Sequence, residues 1–253
     1  MIRGFYSAKL GALAQQENMN LIANNMANVN TTGFKPMRVS FKDLMYQNLN
    51  RTTAENAAVV GHGVKINKTD LSMAQGALQP TNYALDFAIA EEGMFFAVRT
   101  AAGDIQYTRA GNFILSADDG TYYLAAPNGD RLLDADGEDI EVTFRRTEYT
   151  DENGNTHYQD GEPVIERGQI GVYSFRNPYG LYAVGNNRFV ATDVSGAAEA
   201  VENARLMAGY LENSAVEISV EMVRVIEASR AFSFNSRMIQ VADEVEQTIN
   251  NLR

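Results

Sequence analysis

Residues 210–253 contain neither glycine nor proline, the two residues that interrupt helices. Within this stretch Val216, Val220 and Val223 begin an apolar stripe, and Phe234, Met238, Val241, Val245, Ile249 and Leu252 continue it at helical spacing. Met222, Val225, Phe232 and Ile239 form a second stripe, so the helix is apolar over more than one face. Ser214 followed by Glu217 reads as a capping box opening the helix. A helix of about 38 residues is roughly 57 Å long, against a globular mean of about 11–12 residues. Such a rod cannot hide both stripes against a small domain, and it is expected to become ordered only when other helices cover it.

The N-terminal end is of the same kind. Residues 2–27 lack proline, and Phe5, Leu10, Leu13, Leu21, Ile22 and Met26 lie among apolar positions separated mostly by steps of three and four. This second helix is expected to stop in Asn28-Val29-Asn30, ahead of Gly33 and Pro36. Between the two ends the period changes to two. Leu85-Asp86-Phe87-Ala88-Ile89 and Ile105-Gln106-Tyr107-Thr108-Arg109 alternate, and turn signals recur at Gly103-Asp104, Asp119-Gly120, Asn128-Gly129, Asp136-Gly137 and Asn153-Gly154. The expected fold class is therefore α+β. A discontinuous, coiled-coil-like helical domain is built from residues 1–35 and 207–253, an extended connector spans 36–76, and an antiparallel β domain spans 77–206.

Composition excludes several functions. With 21 Lys+Arg against 32 Asp+Glu the formal charge is −11, unsuited to a nucleic-acid backbone or an anionic lipid surface. There is no cysteine, and His62 and His157 are the only histidines, so thiolate chemistry is excluded and histidine metal cages are barely possible. No apolar run reaches the roughly 18 residues of a membrane span, and the N-terminus lacks the apolar core of a secretory signal. Asp151, Asn153, Asn155 and Glu162 match calcium-loop positions 1, 3, 5 and 12, but Thr156 stands where that loop needs glycine. Asn153-Gly154 between two strand-like runs favours a hairpin there. Asp134-Ala135-Asp136-Gly137 reads as a solvated turn. No nucleophile or metalloprotease motif occurs, and no pair of carboxylates is singled out for acid–base work. The chain is not expected to be an enzyme or to hold a cofactor or small-molecule substrate.

Both ends carry a resemblance. ANNMANVNTTGFK (residues 23–35) and GYLENSAVEISVEMVRVIEASRAF (209–232) resemble the paired terminal signatures of the bacterial flagellar basal-body rod and hook axial proteins. QGALQPTNYALDFAI (75–89), YTRAGNF (107–113), GQIGVYSFRNPYGL (168–181) and GNNRF (185–189) resemble that family between them. Ala215, Ser229 and Phe232 depart from its usual Asn, Gln and Tyr. The single β domain is most like a distal rod subunit. The signature residues are Asn24, Asn25, Asn28, Asn30, Thr32, Gly33, Phe34 and Arg230. The resemblance implies a structural subunit in the basal body, reached by export without a cleaved signal peptide. It further implies self-assembly into a helical tube that transmits torque and encloses an export channel. The implied partners are copies of itself, other rod and hook proteins and the export apparatus. A proximal rod or hook-related subunit is the alternative within the family, and a calcium- or carbohydrate-binding β module on a helical stalk is the alternative outside it. The expected subunit-interface residues are the two apolar stripes: Phe5, Leu10, Leu13, Leu21, Ile22 and Met26 at one end, and Val216, Val220, Val223, Phe234, Met238, Val241, Val245, Ile249 and Leu252 at the other.

Overall fold

The computed structural model describes residues 2–48, 59–150, 156–165, 169–202 and 204–252, and these fall into two compact units. The first unit joins residues 1–29, 36–72 and 216–253. It holds helix α1 (Ile2–Ala27), strands β1 (Met37–Asp43), β2 (Tyr46–Asn48), β3 (Val59–Gly61) and β4 (Val64–Leu71), and helix α2 (Ile218–Asn251). The helices are 26 and 34 residues long, so α2 is shorter than the sequence suggests. Its start explains the difference. The Asn213 N–H donates to the Ala77 carbonyl at 2.9 Å and the Ala215 N–H to the Phe34 carbonyl at 3.0 Å, which holds this approach segment outside the helix. Glu217, not Ser214, occupies the N-cap position, and it makes no side-chain cap bond. The helix therefore opens later than the Ser214–Glu217 spacing suggests.

The segment expected as an extended connector contains a ribbon. β1 and β4 pair antiparallel from Met37↔Leu71 to Asp43↔Val64, with an irregularity between Ser40 and Phe41, and both pack on α1. β2 pairs with β3, Tyr46 opposite Gly61. Met37-Arg38-Val39-Ser40-Phe41 and Val64-Lys65-Ile66-Asn67 alternate, with Met37, Val39, Val64 and Ile66 half-buried, but these runs are short and lie far apart in a segment that is otherwise polar.

The second unit comprises residues 30–35 and 73–215. Its strands are β5 (Leu78–Pro80), β6 (Phe87–Ile89), β7 (Met94–Arg99), β8 (Ile105–Thr108), β9 (Ile114–Asp118), β10 (Thr121–Ala125) and β11 (Arg131–Leu132). They continue with β12 (Thr143–Thr150), β13 (Thr156–Val164), β14 (Val172–Phe175), β15 (Tyr182–Gly185), β16 (Arg188–Val190), β17 (Ala198–Ala200), β18 (Leu206–Ala208) and β19 (Tyr210–Glu212). A nine-stranded sheet runs β15-β16-β8-β7-β11-β10-β9, with β14 bridging β7 and β17. Every described strand pairing is antiparallel, as expected from sequence.

β7 lies at the centre and is buried on both faces, which is why Met94-Phe95-Phe96-Ala97-Val98 reads as a continuous apolar run. On one face Phe96 and Val98 join Phe87, Phe113, Leu124, Leu132 and Val172 in the main core. On the other, Phe95 meets Phe175 and Phe189 edge to face, with centroids 5.8 and 5.6 Å away. β12 and β13 form a separate ribbon with Thr150 opposite Thr156. The proposed calcium positions Asp151, Asn153 and Asn155 fall outside the described residues.

Candidate assembly surface and the buried ionic node

In the first unit the two helices pack on each other, with a close approach at Gly11. On α1, Ala8, Gly11, Ala14, Ile22 and Asn25 are buried, and on α2 Glu221 and Ala228 are buried. Glu221, Ala228 and Asn235 recur every seven residues, two helical turns, and so share one face. Gly11 marks the close approach: a Cβ there would sit 2.8 Å from the Asn235 amide nitrogen. Glu221 Oε1 accepts from Arg224 Nη1 at 2.6 Å, while its Oε2 has no hydrogen-bond partner among the described residues.

The helices also leave many apolar side chains exposed. Of the expected interface residues, Phe5, Leu13, Val220, Val223, Phe234, Met238, Val241, Val245, Ile249 and Leu252 lie open to solvent, with Phe234 63% and Met238 57% exposed. Leu10, Leu21 and Met26 are half-buried. Ile22 and Val216 are buried inside the chain. α1 and α2 thus pair within one chain while the first stripe stays uncovered, because the pairing uses a different seam.

The signature residues have separate tasks. Asn25 is 1% exposed and clamps one peptide from both sides: its Nδ2 donates to the Met37 carbonyl at 2.8 Å, and its Oδ1 accepts from the Met37 N–H at 3.0 Å. Asn28 Nδ2 donates to the Asn24 carbonyl at 2.9 Å, at the end of α1. Asn24, Asn30 and Arg230 are exposed. The Thr32 carbonyl accepts from Asn187 Nδ2 at 2.8 Å, which ties the first signature to the GNNRF stretch. Gly33 adopts φ +65°, and a Cβ there would lie 2.7 Å from the Arg109 backbone carbon, so no other residue fits without displacing main chain.

One buried constellation was not among the residues singled out from sequence. In the second unit, Glu212 at the end of β19 is 1% exposed and accepts four hydrogen bonds. Lys35 Nζ reaches its Oε1 at 2.7 Å and the Gly76 N–H reaches the same oxygen at 2.9 Å. Arg109 Nε and Nη2 reach Oε2 at 2.8 and 2.7 Å in a fork. Two cations share one carboxylate, and backbone carbonyls take the surplus donors: Ala74 from Lys35 at 2.6 Å, and Glu91 and Met94 from Arg109 at 2.8 and 2.7 Å. Burial pulls the Lys35 ammonium below the ordinary lysine range, and the neighbouring Glu212 carboxylate opposes that shift. Lys35, Arg109 and Glu212 each lie inside a stretch that carries the family resemblance. Their sequence separation hid the link between them.

The expected solvated turn at Asp134 is held by its own carboxylate, which accepts the Asp136 and Glu138 N–H groups at 2.9 Å. Asp139 next to it pairs with Arg99 and Arg131. Among the described residues no group of three or more His, Asp or Glu side chains is placed to hold a metal ion, and no helix is long and apolar enough to cross a membrane.

Paired terminal helices with a long exposed apolar face, carried with an antiparallel β unit that a buried ionic node fastens, define a protein built for association. Comparison with known proteins agrees. The family described as flagellar basal body rod protein matches residues 5–35, and that described as flagellar basal body rod FlgEFG protein, C-terminal, matches residues 207–252. The flagellar basal-body rod protein FlgG of Borreliella burgdorferi is 38% identical over 276 residues, covering 100% of this chain and 99% of its own length. FlgG of Bacillus subtilis is 34% identical with 100% of both chains covered, and FlgG of Caulobacter vibrioides is 33% identical with 98% of each covered. The chain belongs to the flagellar basal-body rod protein family.

Proposed function

We propose that this chain is a structural subunit of the bacterial flagellar basal-body rod, of the distal-rod type, and works by packing and not by catalysis. The observation that carries the reading is the uncovered stripe on α2 from Val220 to Leu252, in a chain whose relatives are rod proteins along their whole length. Contact between different patches on successive copies does not close on itself and so generates a helical filament. Residues 1–35 and 207–253 act as the polymerising domain, with long helices packed in a coiled-coil-like inner tube, and residues 77–206 act as an outer β domain. The segment 36–76 supplies a further ribbon beside α1. Close-packed helices resist compression, and a tube of them transmits torque while its lumen leaves a path for exported subunits. The partners are other copies, other rod and hook proteins and the export apparatus, and the site of action is the basal body in the cell envelope.

Electron microscopy and sedimentation of the purified chain test this. The parent is expected to form rod-like polymers. Val223→Glu and Met238→Glu, both at exposed positions, are expected to change folding stability by no more than about 0.5 kcal/mol and to abolish polymers. Polymers as abundant in both variants as in the parent would remove the stripe from the interface.

A further inference from the structure

The backbone passes into or out of the second unit at residues 29–30, 35–36, 72–73 and 215–216. Inside that unit, the segments next to these passes are tied to one another around the ionic node. Successive residues of the first segment are each held. The Thr32 carbonyl accepts from Asn187 Nδ2 at 2.8 Å, and the Gly33 N–H donates to the Glu212 carbonyl at 2.7 Å. The Phe34 carbonyl accepts from the Ala215 N–H at 3.0 Å, and Lys35 Nζ donates to Glu212 Oε1 at 2.7 Å. Residues 73–76 join through the Ala74 carbonyl, which accepts from Lys35, and the Gly76 N–H, which donates to Glu212. A Cβ at Gly76 would lie 2.0 Å from the Asn213 carbonyl oxygen, so two of these segments touch main chain to main chain. Glu212 carries the connection inward. Arg109, the residue after β8, grips its carboxylate in a fork and donates to the carbonyls of Glu91 and Met94, and Met94 opens β7 at the centre of the sheet.

We propose that the Lys35–Glu212–Arg109 node is a mechanical clamp of the second unit: a pull arriving along residues 30–35, 73–76 or 212–215 passes through the Glu212 carboxylate and Arg109 into β7. The physical reason is how hard the node is to open. Lys35 and Arg109 are 2% exposed and Glu212 1%. Separating them leaves charges buried without a counter-charge, which is strongly unfavourable. An exposed backbone hydrogen bond under the same pull is exchanged for one to water at little net cost. The ionic tie is therefore the last to give, and it sits where the segments leading out of the unit are gathered. The clamp rests on the rod reading for the torque that loads it, but its test does not.

The chain has no cysteine, so introduced thiols can carry the handles of a single-molecule stretching experiment on the full, unpolymerised chain. One pair of handles, at the exposed Asn30 and Asp119, brings the pull in along residues 30–35. A second pair, at the exposed Asp119 and Glu199, pulls on the sheet alone. In the otherwise unsubstituted chain, both pairs are expected to lengthen only when the sheet itself opens. Lys35→Met, which keeps the Arg109–Glu212 pair, is expected to open the first pair at about half the force. That opening should come as an early extension of about 20 Å, the contour of residues 30–35, while the second pair is unchanged. Glu212→Gln, which leaves two cations facing a neutral amide, is expected to lower the first opening force further. Equal forces at the first pair with and without Lys35→Met overturn the clamp. A fall of the same size at both pairs overturns it too, because a role in overall stability alone gives that result. Early extension in the unsubstituted chain does the same. The rod reading stands apart from all of these outcomes, because polymer formation is scored separately.

Discussion

Tyr107 and Tyr173 meet edge to face on the sheet, with ring centroids 5.9 Å apart, and the Tyr173 hydroxyl donates to the Asp134 carbonyl at 2.6 Å. Burial raises both phenols above the ordinary tyrosine range. A phenol with a raised folded-state pKa keeps its proton after the unfolded chain has lost it, so the stability it contributes is intact below about pH 10 and declines as pH climbs past that value. Urea-unfolding midpoints are therefore expected to fall between about pH 10 and pH 12, and the fall should be smaller in Tyr107→Phe. An equal fall in that variant would mean that other groups carry it. Tyr107 lies in the alternating run Ile105 to Arg109, which the structure makes a strand. The ionic node was less legible for a different reason: periodicity and motif spacing report neighbours within a few turns, and Lys35, Arg109 and Glu212 are joined only by the folded topology. The sole hint was that each lies in a stretch resembling the family. Asn25 was named from its signature, but its part as a two-sided clamp on the Met37 peptide emerges only once β1 lies beside α1.

Both helices were legible because apolar residues at steps of three and four leave few alternatives, and the exposed stripe of α2 was named residue by residue. What the pattern did not reveal is which stripe turns inward. Hydrophobicity favours Val220, Val223 and Met238, yet Glu221 and Ala228 are the buried residues of α2, and Gly11 leaves room for Asn235 against α1. The start of α2 was misread because Ser214 and Glu217 have capping-box spacing, while the backbone of the preceding residues is committed to the Ala77 and Phe34 carbonyls. The ribbon in 36–76 is hard to read because its alternating runs, Met37 to Phe41 and Val64 to Asn67, are short and separated by a long polar stretch, so the segment as a whole shows weak periodicity. Ala228 gives the seam a direct test. It is 2% exposed, and Ala228→Leu is expected to overpack the helix pair by about 1–3 kcal/mol. Met238→Leu, at an exposed position, should leave stability unchanged within about 0.5 kcal/mol. Thermal unfolding followed by helix circular dichroism measures both, and a neutral Ala228→Leu would show that the helices do not pack through this face.

At the scale of the whole molecule, assembly sets apolar attraction against charge. Each copy carries a formal charge of −11, so copies repel before their stripes meet. Salt shortens that repulsion: the screening length is about 30 Å at 0.01 M and about 8 Å at 0.15 M. Burial of exposed residues such as Val223, Phe234 and Met238 is not weakened by salt, and sulfate strengthens it by being excluded from protein surface. The concentration needed for polymerisation, measured by light scattering, is therefore expected to fall as NaCl rises from about 0.02 M to about 0.3 M, and to fall further when sulfate replaces chloride. Val223→Glu tests the balance between the two forces, because it removes an apolar contact and adds a negative charge, and salt restores only what the charge took. If polymerisation weakened with salt, complementary ion pairs between copies would have to hold the filament, and the apolar stripe would be left without its task.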